Sequence, residues 1–571
     1  MSKQSKGTEE NLGPAMVLVA AAVVILIVWS KYRFLLITAF YRYIIWIRLI
    51  IALLFATAAI WCRSKWIKYR APAMIKKSVF GEGPEATSML AGRTHGDGSP
   101  VYLKQEVRLL HAQVVGGTGS GKTESTICPM AIDDIKNNRG FVLIDGKSDR
   151  SLLDKLYAYA VRYGRTEDFK ILSLADASIS HSFNPFEGGR AVEVAERIFN
   201  ALNFEDEYYR SIQYDALVHC LSIMESTQIT ASPKRVIELL RNAPLLSNLA
   251  ENSGDDDLSS WGLSFAKLAP NERELRTSGL ISQLQAFVLG EAGPIFNPLK
   301  SDIVIEKAMS ANQIVYCQLP AMKIPSLGKA TGKLVLQSLQ SAISSRHLGE
   351  SANKKFFSIY LDDFTEYLTP SFATLLNKSR SANVGVVFAH QALGDLDVLG
   401  EGLKNSVLTN SNLKIFMKTN EPASAEYFAT VVGTKLASKV TERQVAGTFG
   451  STKTGDGSVR EAEEFKFHPN LFKQEMGVGE AVVVLPHSKG ALPLRMKFYR
   501  VKDIESAIIP QIEKRIGPSI VKSKVHRSPV KPAPLNASAD QSAILLKGIA
   551  STSTNLIESR VLADDKAGSA T

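Results

Sequence analysis

Residues 116 to 123 read Gly116, Gly117, Thr118, Gly119, Ser120, Gly121, Lys122 and Thr123, a full match to the phosphate-binding pattern GxxxxGK[ST]. The chemistry that such a run performs is electrostatic. Glycines let successive backbone N–H groups turn inward around phosphate oxygens, the lysine ammonium reaches the β and γ phosphates, and the Thr123 hydroxyl ligates Mg²⁺. The expected cofactors are therefore ATP and Mg²⁺.

A phosphate loop of this kind works with a second strand that ends on a carboxylate. Residues 356–363, FFSIYLDD, supply an apolar run closing on Asp362 and Asp363. Asp362 is the natural partner of Thr123 in holding Mg²⁺. Asp363 stands where many ATPases place a glutamate that orients the attacking water, and it is one methylene shorter; Glu366 is the alternative for that role.

The elements that must position these residues follow from apolar patterning. Strands are expected at 112–115, 140–149, 168–176, 313–320, 356–363, 384–391 and 413–418, with helical stretches between them. Near-continuous apolar strands alternating with helices predict an α/β fold: a parallel sheet covered on both faces, with its ligand at the strands' carboxyl ends. From about Ala191 to Ser301 the strand pattern lapses and helical spacing takes over, which predicts an inserted all-alpha domain. After Gly517 the composition shifts to Ser, Ala, Pro and Lys, the signature of a disordered basic tail. The expected domains are thus 72–190 with 302–516 as the phosphate-loop domain, 191–301 as the insert and 517–571 as the tail.

Residues 1–71 read as a membrane anchor. An uncharged tract runs from Pro14 to Trp29 and a second is strongest from Leu49 to Cys62, with Lys31, Arg33, Arg42 and Arg48 between them. A hydrocarbon core of about 30 Å takes roughly 20 helical residues, so the two tracts predict two transmembrane helices in a hairpin. A signal peptide fits poorly, because Met1 to Gly13 is not basic and no cleavage signal follows. The charge rule gives no clean orientation; the need for ATP places the main domain in the cytoplasm.

The formal charge of +11 suits a partner rich in phosphate, nucleic acid or anionic lipid. Cys62, Cys128, Cys220 and Cys317 form no CxxC pair, and the nine histidines contain no HExxH, so neither disulfides nor zinc is indicated.

Taken together, GGTGSGKT, IDGKSD at 144–149, SFNPF at 182–186, Asp362 with Asp363, Gln391 at a sensor-like strand end and GVGEAVVV at 477–484 resemble the TraG/TraD family of type IV coupling proteins. The resemblance spans roughly residues 14–500. It departs from the family pattern at Ser148 (glycine), Phe183 (tryptophan) and Asp363 (glutamate). It implies a RecA-like ATPase anchored in the bacterial inner membrane, assembled as a homohexamer. The implied partners are single-stranded DNA gripped without sequence preference, a relaxase and its relaxosome, and the type IV secretion channel. It also implies catalytic roles for Lys122, Asp362, Asp363 and Gln391, and for Arg380, eighteen positions after Asp362, an arginine that reaches a neighbouring subunit's nucleotide. Two other functions share the same residues: an FtsK-like DNA translocase, and a non-motor platform that docks secreted proteins when ATP binds.

Overall fold

The computed structural model describes residues 13–80, 88–204, 206–298, 300–349, 354–447, 450–487 and 490–513. The basic tail expected over 517–571 lies outside the described residues.

Thirteen strands are described: β1 Ser88–Thr94, β2 Pro100–Lys104, β3 Ala112–Val115, β4 Gly140–Asp145, β5 Phe169–Ser173, β6 Ile314–Gln318, β7 Phe357–Asp362, β8 Val384–His390, β9 Leu413–Met417, β10 Thr434–Gly447, β11 Gly450–Phe465, β12 Glu480–His487 and β13 Gly490–Phe498. Eleven form one sheet in the order β2-β1-β13-β12-β9-β3-β8-β7-β4-β6-β5. From β9 to β5 all neighbours are parallel, and these are the seven strands that the apolar runs predict. The remaining four, β12, β13, β1 and β2, extend the sheet antiparallel. β10 and β11 pair only with each other, as a long two-stranded ribbon.

The parallel block is buried on both faces, as its sequence requires. Alternate residues of β4 show it: Val142 and Ile144 join one apolar cluster, Phe141 and Leu143 the other. The first cluster continues without a break through the helix Pro325–Leu348 into the helices between Ala191 and Phe296, which contain no strand. The helical insert is thus rooted on one sheet face and shares its core. Its base is fixed by the SFNPF segment, where Asn184 donates to the Ala231 carbonyl (2.7 Å) and Phe183 packs edge-on against Phe296.

The N-terminal segment departs from the expected hairpin. It is one continuous helix, Gly13–Phe80. The reason is local: no glycine or proline lies between Ala15 and Ala71 to break the hydrogen-bond ladder. Its apolar stretch, Met16–Arg63, is 48 residues long and none of it is buried against protein. At 1.5 Å per residue that stretch measures about 72 Å, more than twice a hydrocarbon core.

Candidate functional site

Sheet topology brings the phosphate loop to the middle of the eleven-stranded sheet. β3 lies between β8 and β9, with Val115 level with His390 and Phe416, so the loop leaves the carboxyl edge of the parallel block. Gly119 (φ 78°) and Gly121 (φ 95°) take left-handed conformations that a Cβ disfavours. Gly116 is required for a different reason: a Cβ there would lie 2.8 Å from the Met417 Cβ. The helix after the loop opens as a wide π turn, Lys122–Ile127, and continues as Cys128–Lys136. Lys122 curls back so that its Nζ donates to the carbonyls of Gly116 (2.6 Å) and Gly117 (3.3 Å), and burial lowers its pKa.

Two neighbouring strands deliver carboxylates to the same edge, since Asp145 of β4 is in register with Asp362 of β7. Asp362 is 1% exposed, and its Oδ2 accepts from the Thr123 hydroxyl at 2.7 Å. Its Oδ1 is buried without a hydrogen-bond partner, and burial raises its pKa. A hydroxyl and a carboxylate with a spare oxygen form a hard-oxygen donor set, so Thr123 and Asp362 fit Mg²⁺. Asp363 follows in a left-handed conformation (φ 47°), which places its Oδ2 3.0 Å from the Lys147 ammonium. The same ammonium lies 3.9 Å from Asp362.

Asp145 builds the turn that presents Lys147. Its carboxylate accepts from the Tyr316 hydroxyl (2.7 Å) and from the backbone N–H groups of Lys147 (2.9 Å), Ser148 (3.1 Å) and Asp149 (2.6 Å). Burial pushes its pKa up to about 6 against those hydrogen bonds. Ser148 sits at φ 60°, which is the physical reason a glycine suits that position.

β8 supplies the third component. The Thr118 hydroxyl donates to the Gln391 side-chain oxygen at 3.0 Å, and Asp395 accepts from the backbone N–H groups of Gln391 (2.8 Å) and Ala392 (3.0 Å). Behind them runs a buried polar chain that the sequence reading missed. Lys414 Nζ donates to Gln113 Oε1 (2.8 Å), Gln113 Nε2 donates to His390 Nε2 (2.9 Å), and His390 Nδ1 donates to the Ala392 carbonyl (2.7 Å). Burial lowers the His390 pKa to about 4, so the ring is neutral in this tautomer. Polar residues one per strand leave no spacing signal; only the alignment of β3, β8 and β9 joins them.

The structure therefore gathers Lys122, Thr123, Asp362, Asp363, Thr118 and Gln391 at one edge. Gly146, Lys147, Asp363, Glu366, Gln391 and Asp395 are among the residues lining a cleft of about 520 Å³ beside the loop. Glu366 is held there by Lys329 at 2.8 Å. Arg380 is elsewhere. It precedes β8 at the amino edge of the sheet, exposed, where its charge helps burial lower the pKa of His111 to about 4. The seven residues of β8 put it about 20 Å from Gln391.

Comparison with known proteins points one way. The family described as the TraM recognition site of TraD and TraG matches residues 357–465, from β7 through β11. The type 4 coupling protein DotL of Legionella pneumophila is 22% identical over 445 residues, which are 65% of this chain and 55% of DotL. The chain thus spans about half the length of that relative. Among solved structures, the conjugative coupling protein TrwB in an unbound form superposes with a TM-score of 0.53 at 14% identity, covering 74% of this chain and 92% of TrwB. TrwB with the GTP analogue GDPNP gives 0.54 at 15% identity, covering 75% and 94%. TrwB with ADP and Mg²⁺ gives 0.53 at 14% identity, covering 76% and 93%. The family model and the curated relative both point to type IV coupling proteins, and the fold is that of TrwB.

Proposed function

We propose that this chain is a membrane-anchored coupling ATPase, which binds Mg·ATP at the 116–123 loop and uses its turnover to pass DNA, protein or both to a type IV secretion channel. The observation that carries the chemistry is the Thr123–Asp362 pair, with a buried carboxylate oxygen left free beside a phosphate loop. TrwB, which has the same fold, is known in complex with ADP and Mg²⁺, and this supports the same kind of ligand here.

The roles follow from the geometry. Lys122 and the loop N–H groups bind the phosphates, Thr123 and Asp362 hold the metal, and Gln391, fixed by Asp395 and Thr118, borders the phosphate end. Mg²⁺, when bound, neutralises phosphate charge as the terminal bond breaks. Asp363 is placed to orient water once its ion pair opens. The apolar helix Gly13–Phe80 anchors the chain in the bacterial inner membrane, with the sheet in the cytoplasm. By resemblance the working form is a homohexamer that engages a relaxosome and grips single-stranded DNA by its phosphates, with affinity falling steeply in salt.

Lys122→Ala tests the site directly. Phosphate-release assays should read a loss of turnover of at least about 10²-fold with the protein still folded and membrane-bound; wild-type turnover in that variant overturns the assignment. The Asp363–Lys147 ion pair favours a second reading, a platform that binds nucleotide without rapid hydrolysis. DNA-stimulated turnover supports the motor, whereas tight nucleotide binding with negligible turnover supports the platform.

A further inference from the structure

Lys147 enters the reading above only as the partner of Asp363, yet it lies beside both acidic residues of the site. Its ammonium is 3.0 Å from Asp363 and 3.9 Å from Asp362 Oδ2, the same oxygen that accepts from the Thr123 hydroxyl. Its backbone is rigid, since Asp145 accepts from three successive N–H groups beginning with its own. Its side chain is 47% exposed and borders the cleft that also carries Gln391 and Asp395. A fixed root with a free four-carbon arm is a geometry built for a side chain that changes partners.

Two facts determine when it changes. A divalent cation on Asp362 would share that carboxylate with the Lys147 ammonium, and like charges at such separation repel. The terminal phosphate of a triphosphate brings negative charge that a diphosphate lacks, on the same side of the sheet as Lys122. We propose that Lys147 is the nucleotide-state switch of this site: without metal it neutralises Asp363, and with metal on Asp362 it leaves that carboxylate for the terminal phosphate of a triphosphate. Asp363 is thereby released to face water only when a hydrolysable nucleotide is present. The inference rests on the phosphate-loop reading above and adds to it a residue that tells triphosphate from diphosphate.

The test is made by binding, on the full-length protein in nanodiscs. Affinities for Mg·ADP and for Mg²⁺ with a non-hydrolysable ATP analogue are measured by fluorescent-nucleotide displacement, and Mn²⁺ affinity in the presence of ADP by electron paramagnetic resonance. In Lys147→Met the preference for triphosphate over diphosphate should shrink roughly tenfold or more, the worth of one charge-assisted hydrogen bond. ADP affinity should stay within about twofold, and Mn²⁺ should bind about threefold tighter because its competitor is gone. Lys147→Arg, which keeps the charge and the reach, should retain the preference. A purely architectural ion pair would change the melting temperature of Lys147→Met and leave both the preference and Mn²⁺ affinity as in wild type, which overturns the proposal. Wild-type protein that binds neither nucleotide overturns the phosphate-loop reading, and this inference with it.

Discussion

Ser148 holds a left-handed backbone that costs an L-residue about 1 kcal/mol, and its hydroxyl is buried without a partner to offset it. Ser148→Gly should therefore stabilise the protein by about 0.5–1 kcal/mol after the added flexibility of the unfolded chain is subtracted, read as a higher denaturant midpoint. A lower midpoint would mean that the side chain contributes something the hydrogen bonds do not show. Lys414 makes a pH-dependent case. It is 7% exposed and burial lowers its pKa to about 7. Between about pH 7 and the unfolded value of 10.5, the unfolded chain binds the additional proton, so stability rises with pH across that window. Relative to Lys414→Met, the wild type should gain roughly 2 kcal/mol from pH 7 to pH 9, measured by urea unfolding. Parallel pH profiles for the two proteins would show that Lys414 stays charged in the fold.

At the scale of elements, β7 and the helix after the phosphate loop are locked together at their far ends. Arg108 forks onto Asp134 at 2.8 and 2.7 Å, and Ser358 and Tyr360 of β7 donate to the same carboxylate at 2.7 and 2.6 Å. Asp362 and Thr123 thus meet at one end of two rods pinned at the other. The N-terminal helix has the opposite character, since its apolar stretch touches almost nothing. Deleting residues 1–71 should give a soluble protein that still binds nucleotide, monitored by partition from membranes and by fluorescent-nucleotide titration. Aggregation of that fragment with lost nucleotide binding would show that the helix supports the sheet. How the stretch meets a bilayer is decided by the solvent: about 72 Å of helix exceeds the roughly 30 Å of one crossing.

For the whole molecule the informative residue is Arg380. It stands at the sheet edge opposite the phosphate loop, so any contact it makes with a nucleotide is with another subunit's. Guanidinium suits that work because it is always charged and forks onto phosphate oxygens. Arg380→Ala should lower turnover by about 10³-fold with ATP affinity nearly unchanged, by analogy with arginines supplied across an interface. Mixing Lys122→Ala and Arg380→Ala subunits should restore part of the activity, because some interfaces then pair an intact loop with an intact arginine. Mixed assemblies as inactive as their parents would place Arg380 outside the mechanism.

The sequence alone determined what depends on short-range pattern. The phosphate loop, the carboxylate-ending strand, the seven apolar strands and the helical insert were all legible, because phosphate binding and two-face burial each impose residue types at fixed spacing. The tertiary structure decided what depends on alignment between distant segments. It put Asp145 level with Asp362 and so brought Lys147 onto Asp363; it joined Gln113, His390 and Lys414 into a chain behind Gln391; and it set Arg380 at the opposite edge from the nucleotide loop. The antiparallel strands β1, β2 and β13 belong with these, since partly exposed, mixed residues carry a weaker periodic signal than a buried parallel strand. The continuous helix in place of a hairpin has a related cause: a chain without glycine or proline carries no local instruction to turn, and only surroundings outside the chain can supply one.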